Sequence, residues 1–120
     1  MSDLKLAHAE SQFADLIWKH SPLSSGTLVK LAEGELGWKK STTYTVLRKL
    51  CDRGIFVNEG GTVKACMTRQ EFDAIRSEEF VQDTYRGSLP AFIAAFASRR
   101  TLSKEEVEEI RQMIDSYTED

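Results

Sequence analysis

From Trp38 to Phe56 the chain reads WKKSTTYTVLRKLCDRGIF, and the spacing of its apolar residues leaves little freedom in how it folds. Thr43, Val46, Leu47 and Leu50 recur at helical intervals, so one face is apolar over about two turns. These four are candidate core residues. Ser41 stands where a hydroxyl can cap the first free amides, and Gly54 stands where a chain leaving a helix commonly takes a left-handed residue. The predicted helix covers 41–53.

The opposite face carries Lys40, Thr42, Tyr44, Thr45, Arg48 and Lys49, with no acid until Asp52. Such a face suits a phosphate-lined groove, although a solvated amphipathic helix with ordinary surface charge has the same pattern. The flanking sequence decides between them. Upstream, Leu6, Ala9, Phe13, Leu16 and Ile17 share one helical face, with Trp18 beside them. Pro22 then breaks the chain. Ser24 or Ser25 can cap a short second helix whose Leu28, Val29, Leu31 and Ala32 face inward before Gly34 and Gly37. Downstream, 55–58 and 62–67 read as short strands around Glu59, Gly60 and Gly61, and paired glycines permit a tight hairpin turn. Three helices followed by a hairpin is the order of a winged helix-turn-helix.

In that arrangement the first turns of the second helix of the pair reach base edges while neighbouring cations hold the backbone. Ser41, Thr42, Tyr44 and Thr45 are therefore candidates for base contact, and Lys39, Lys40, Arg48 and Lys49 for phosphate contact. Arg48 is the one clear bidentate candidate, and Asn and Gln are absent from this face. Threonines and a tyrosine suit thymine methyls and phosphates, which predicts a T/A-containing half-site. The hairpin offers Lys64 beside Glu59, a weak addition to the basic surface.

A net charge of −3 looks wrong for a DNA-binding protein until it is divided along the chain. Residues 1–68 carry nine Lys and Arg against seven Asp and Glu, whereas 69–120 carry seven against twelve. The acid lies in the second half. From Trp38 to Lys64 the balance is six basic to two acidic, and binding follows the local field.

The second half reads as helices. Phe72, Ile75 and Phe80 mark one beginning near Arg69, Gly87 and Ser88 interrupt it, and Pro90 sits in the first turn of the next, where a missing amide hydrogen costs little. Leu89, Phe92, Ile93 and Phe96 form one stripe. A last helix begins at Ser103, with Glu106 at capping-box spacing and Val107, Ile110, Ile114 and Tyr117 along one face. These short helices, with Tyr85 at the end of the preceding one, cannot bury so many large side chains within one chain. Pairing with the same region of a second copy would. The competing arrangement is a monomer with these helices folded back on the winged helix. The division expected is therefore 1–68 for a DNA-binding domain and 69–120 for a helical dimerisation domain, in a mainly α fold with a small β-hairpin wing.

No apolar run approaches the roughly 20 residues of a membrane-spanning helix, so no membrane insertion is expected and the cytoplasm is the expected location. Cys51 and Cys66 form no paired motif and are expected to be buried, reduced and apolar in role. His8 and His20 lack a ligand-spaced set; surface or helix-end positions are expected, with no metal and no cofactor. An enzyme is not indicated, since no Gly-rich phosphate loop and no histidine near a nucleophile occur. Glu105, Glu106, Glu108 and Glu109 favour the macrodipole at a helix start. A winged helix that binds protein, or a regulator answering to a small molecule, remain as alternatives.

Four segments, FADLIW, WKKSTTYTVLRKLCDRGIF, GSLPAFIAAF and LSKEEVEEIRQMID, together resemble the BlaI/MecI penicillinase-repressor family in order and spacing, over nearly the whole chain. The resemblance implies a homodimeric transcriptional repressor on a palindromic operator with TACA/TGTA-type half-sites, controlling β-lactam resistance genes or other targets. It also implies a membrane-bound sensor protease as a partner, with cleavage at an Asn-Phe bond of the association region. The corresponding bond here is Ala95-Phe96, where Phe96 matches and Ala95 does not. The cysteine cluster of the family's copper-responsive branch is missing.

Overall fold

In the computed structural model, which describes residues 6–118, Thr43, Leu47 and Leu50 are buried against Phe13, Ala14 and Ile17 and against Leu28 and Ala32 in one core. These side chains come from α1 (His8–His20), α2 (Ser25–Leu36) and α3 (Lys40–Asp52). Full burial of a large apolar side chain contributes about 1.5–3 kcal/mol, so Phe13, Ile17, Leu28 and Leu50 dominate the stability of this helical triad. Trp38 closes one end of the core, its ring 4.9 Å from that of Phe13.

Local chemistry sets the helix ends. Ser24 accepts a hydrogen bond from the Thr27 amide and so caps α2, and Gly37 ends it in the left-handed region at φ 68°. At the end of α3 Arg53 is the C-cap and Gly54 follows at φ 80°, as the sequence predicts. At its start the prediction fails. The helix begins one residue early, Lys39 is the N-cap without a side-chain cap bond, and Ser41 lies already within the first turn.

The wing is β2 (Phe56–Glu59) and β3 (Thr62–Ala65), antiparallel, with Phe56 opposite Ala65 and Glu59 opposite Thr62. Gly60 and Gly61 form a two-residue turn at φ 59° and 92°, both positive, as a turn that follows strand twist requires. A strand the sequence did not announce, β1 (Leu23–Ser24), pairs Leu23 with Val63 and completes a sheet in the order β1-β3-β2. Two residues are too few to show alternation, so periodicity could not find it.

The chain divides into two compact units, Met1–Phe80 and Val81–Asp120, and the boundary falls within α4 (Arg69–Tyr85). The first unit runs past residue 68 because Phe72, 3% exposed, joins its core with its ring 5.2 Å from Trp18. Trp18 also stacks near Phe56 at 5.1 Å and donates its indole N–H to the Met67 carbonyl. A reciprocal capping box starts α4: the Glu71 amide donates to Thr68 Oγ1 and the Thr68 amide donates to Glu71 Oε1, each at 3.0 Å. The second unit contains α5 (Leu89–Arg99) and α6 (Lys104–Tyr117). The fold is a winged helix-turn-helix with additional C-terminal helices.

Candidate nucleic-acid interface

Burying Thr43, Leu47 and Leu50 turns the other side of α3 to solvent. Lys39, Lys40, Ser41, Thr42, Thr45, Arg48 and Lys49 are exposed, and Tyr44 is 36% exposed. Two threonine hydroxyls bond back to the helix: Thr43 Oγ1 donates to the Lys39 carbonyl and Thr45 Oγ1 to that of Ser41. Thr45 thus has its methyl group left for apolar contact.

The two flanks of α3 differ. On one, the Tyr44 hydroxyl donates to Ser25 Oγ at 3.2 Å, which ties α3 to the start of α2. Tyr44, Leu47, Arg48 and Cys51 line a groove of about 390 Å³ whose other wall is Val57 and Asn58 of β2. The Ser25 amide donates to the Gly61 carbonyl at 2.8 Å, so Ser25 joins the tip of the wing to α3. From sequence alone this residue is only a candidate helix cap. Its role depends on three elements meeting, which no local pattern encodes.

The other flank faces α1. Lys49 Nζ lies 3.0 Å from Glu10 Oε2, and Arg53 Nη1 lies 3.9 Å from Oε1. Only 12% of the Glu10 side chain is exposed. The Ala7 amide donates to its Oε1, and that bond, followed by the Lys49 ammonium, holds the carboxyl below the usual glutamate range. Glu10 was missed from sequence. The available signal was a lone acid among the buried positions of α1, three residues after the helix entry.

On the wing, Lys64 Nζ pairs with Glu59 Oε1 at 3.2 Å on the outward face of the hairpin, which neutralises its cation. Lys39, Lys40 and Arg48 form no ion pair among the described residues. The cysteines depart from expectation. Cys51 is half-buried, and burial pushes its thiol up, but Cys66 is exposed. Cys66 follows the last residue of β3, Ala65, and lies in the bend that leads to α4, outside the alternation that turns Val63 inward and Lys64 outward. His8 and His20 are the first and last residues of α1, both exposed.

In the second unit, Tyr85 meets the ring of Phe92 at 5.7 Å, and Phe92 that of Phe96 at 6.3 Å. No residue of α5 or α6 is buried. Leu89, Ile93, Phe96, Met113, Ile114 and Tyr117 are exposed, while Phe92, Val107 and Ile110 are half-buried. Between the helices lies an apolar groove of about 470 Å³ lined by Phe92, Ile93, Phe96, Val107, Ile110 and Ile114. Ala95 and Phe96 lie inside α5, where the Ala95 carbonyl accepts a bond from Ser98 Oγ. Ser103 caps α6 through the Glu106 amide, but the Glu106 carboxylate does not complete a capping box, being held by Arg100. Among the described residues no cluster of three His, Cys, Asp or Glu could hold a metal ion, and no helix is long and apolar enough to cross a membrane.

Comparison with known proteins places this geometry in context. The penicillinase repressor of Bacillus licheniformis is 26% identical over 117 residues, covering 94% of this chain and 91% of its own. The methicillin resistance regulatory protein MecI of Staphylococcus aureus is 21% identical over 115 residues, covering 92% and 93%. A family model described as penicillinase repressor matches residues 6–116, which takes in both the winged helix and the C-terminal helices. The chain belongs to the penicillinase repressor family.

Proposed function

We propose that this chain is a cytoplasmic, homodimeric transcriptional repressor that reads a palindromic operator with α3. The observation that carries the reading is the division of α3 into a buried apolar side and an exposed side whose Lys39, Lys40 and Arg48 have no protein partner among the described ion pairs. Ser41, Thr42, Tyr44 and Thr45 face base edges, and the three cations face phosphates. Lys64 adds little, since Glu59 already holds it. The names of the relatives, a penicillinase repressor and a methicillin resistance regulator, support β-lactam resistance genes as the regulated class.

The exposed apolar residues of α5 and α6 support the dimer, because a second copy would cover what one chain leaves in water. Tyr85, Leu89, Phe92, Ile93, Phe96, Val107, Ile110, Ile114 and Tyr117 form its contact surface. Two α3 helices related by a twofold axis then read an inverted repeat. A membrane-bound sensor protease is the proposed inducing partner, with Ala95-Phe96 as the bond in question. Phe96 also fills the dimer core in this reading. Cutting there requires α5 to open first, since the bond is helical.

Sequencing DNA retained by the purified protein from its own genome tests the reading. Enrichment of inverted repeats with T/A-containing half-sites beside resistance-type genes is expected; retention of unrelated G·C-only fragments contradicts it.

A further inference from the structure

Among the described residues, Lys49 is the one cation on the exposed side of α3 whose charge is engaged at hydrogen-bond distance, by Glu10 at 3.0 Å. We infer that Glu10 is a positioning residue that withholds Lys49 from the DNA, making it a strut between α1 and α3 and leaving Lys39, Lys40 and Arg48 as the phosphate contacts. This rests on the DNA-binding reading above.

Three observations converge. Only 12% of the Glu10 side chain is exposed, and a carboxylate largely withdrawn from water is favoured by a cation at hydrogen-bond distance. Its two oxygens are both committed: Oε1 accepts the Ala7 amide at 3.0 Å and lies 3.9 Å from Arg53, and Oε2 accepts Lys49. Releasing Lys49 to a phosphate would strip that oxygen of its hydrogen bond. Finally, the pair spans α1 and α3, adding a polar tie beside the buried Thr43, Leu47 and Leu50 that orient α3. Lys49 lies on the α1 flank of the helix, whereas Arg48 lies on the flank facing the wing.

Salt dependence separates the roles, because each phosphate contact adds about 0.9 to the log–log slope. With Lys39, Lys40 and Arg48 in both protomers the slope is near −5, and a fourth cation would bring it near −7. The test is binding to an alternating poly(dA-dT) duplex across salt concentrations, for the unmodified protein, Lys40→Ala, Lys49→Gln, Glu10→Gln and the double variant Glu10→Gln with Lys49→Gln. Lys40→Ala should flatten the slope by about 1.8 per dimer, and Lys49→Gln should leave it unchanged. Glu10→Gln should steepen it, since Lys49 is then released to the DNA. The neutral double variant keeps a hydrogen-bonding pair, so it covers the case in which Lys49→Gln alone fails to fold; its slope should equal that of the unmodified protein. A loss of about 1.8 on removing Lys49, alone or in the double variant, overturns the assignment. No binding of the duplex by the unmodified protein even at low salt refutes the DNA reading itself, a result distinct from either.

Discussion

Arg100 Nη2 lies 3.0 Å from both carboxylate oxygens of Glu106, and the same guanidinium sits over the Phe96 ring at 5.6 Å. One arginine thereby joins α5 to the first turn of α6, and Glu106 is drawn away from the Ser103 amide it would reach in a full capping box.

The cap and the ion pair should differ in worth. Ser103→Ala is expected to destabilise the protein by about 1 kcal/mol, as loss of an N-cap does. Arg100→Ala should cost less, about 0.2–1 kcal/mol, because the pair is substantially exposed and screened. Urea unfolding midpoints of the two variants would rank them. A larger loss for Arg100→Ala would mean that its stacking on Phe96 outweighs the ion pair.

In the proposed dimer, the apolar groove of the second unit is sensitive to a single charge. Ile110→Asp places a carboxylate among Phe92, Ile93, Val107 and Ile114. A buried unpaired charge is strongly unfavourable, so this variant is expected to sediment as a monomer and the unmodified protein as a dimer. Operator affinity should fall by at least tenfold, while the circular dichroism of the winged helix remains.

Glu10 also sets an acid limit on stability. Its folded carboxyl titrates below the unfolded value because the Ala7 amide, and then Lys49, favour the charged form. The resulting stabilisation is complete above the unfolded glutamate pKa and is lost as pH falls through the lower folded value. In Glu10→Gln that share of the acid sensitivity should vanish, so the unfolding midpoints of variant and unmodified protein should converge as pH drops. Parallel curves from neutral pH to acid would remove Glu10 from this role.

Tyr44 has two connections, to Ser25 within the protein and, in the proposed complex, to the bases. Tyr44→Phe removes only the hydroxyl and should cost about 0.5–1.5 kcal/mol of stability at most. Tyr44→Ala should change which operators are preferred, seen in a selection from randomised duplexes. An equal loss on every sequence would assign the ring to the backbone instead.

Much of this was legible from residue order. Thr43, Leu47 and Leu50 announced the buried side of α3, Gly54 its end, and Gly60-Gly61 the turn of the wing, because helical period and left-handed backbone are local properties. The errors lie where local rules compete. Ser41 looked like a cap, but the helix starts at Lys40 and leaves its hydroxyl on the exposed side. Cys66 looked like a buried apolar residue, yet it falls just past the end of β3, in a bend where its side chain is exposed.

The sequence by itself therefore determined the apolar side and the end of α3, the turn of the hairpin at Gly60-Gly61, and that α3 carries an exposed basic side. It ran the second strand to residue 67, two past its end, and put Ala9 rather than Glu10 on the buried side of α1. The features it determined follow from the chemistry of neighbours in the chain. Only the tertiary structure decided which cations of α3 remain unengaged. Lys49 and Lys40 are the same residue type on the same helix, but Glu10, 39 positions before Lys49, lies within hydrogen-bond reach of one of them. The fold brings the largely buried Glu10 carboxylate of α1 to Lys49 of α3, and no spacing along the chain records that contact.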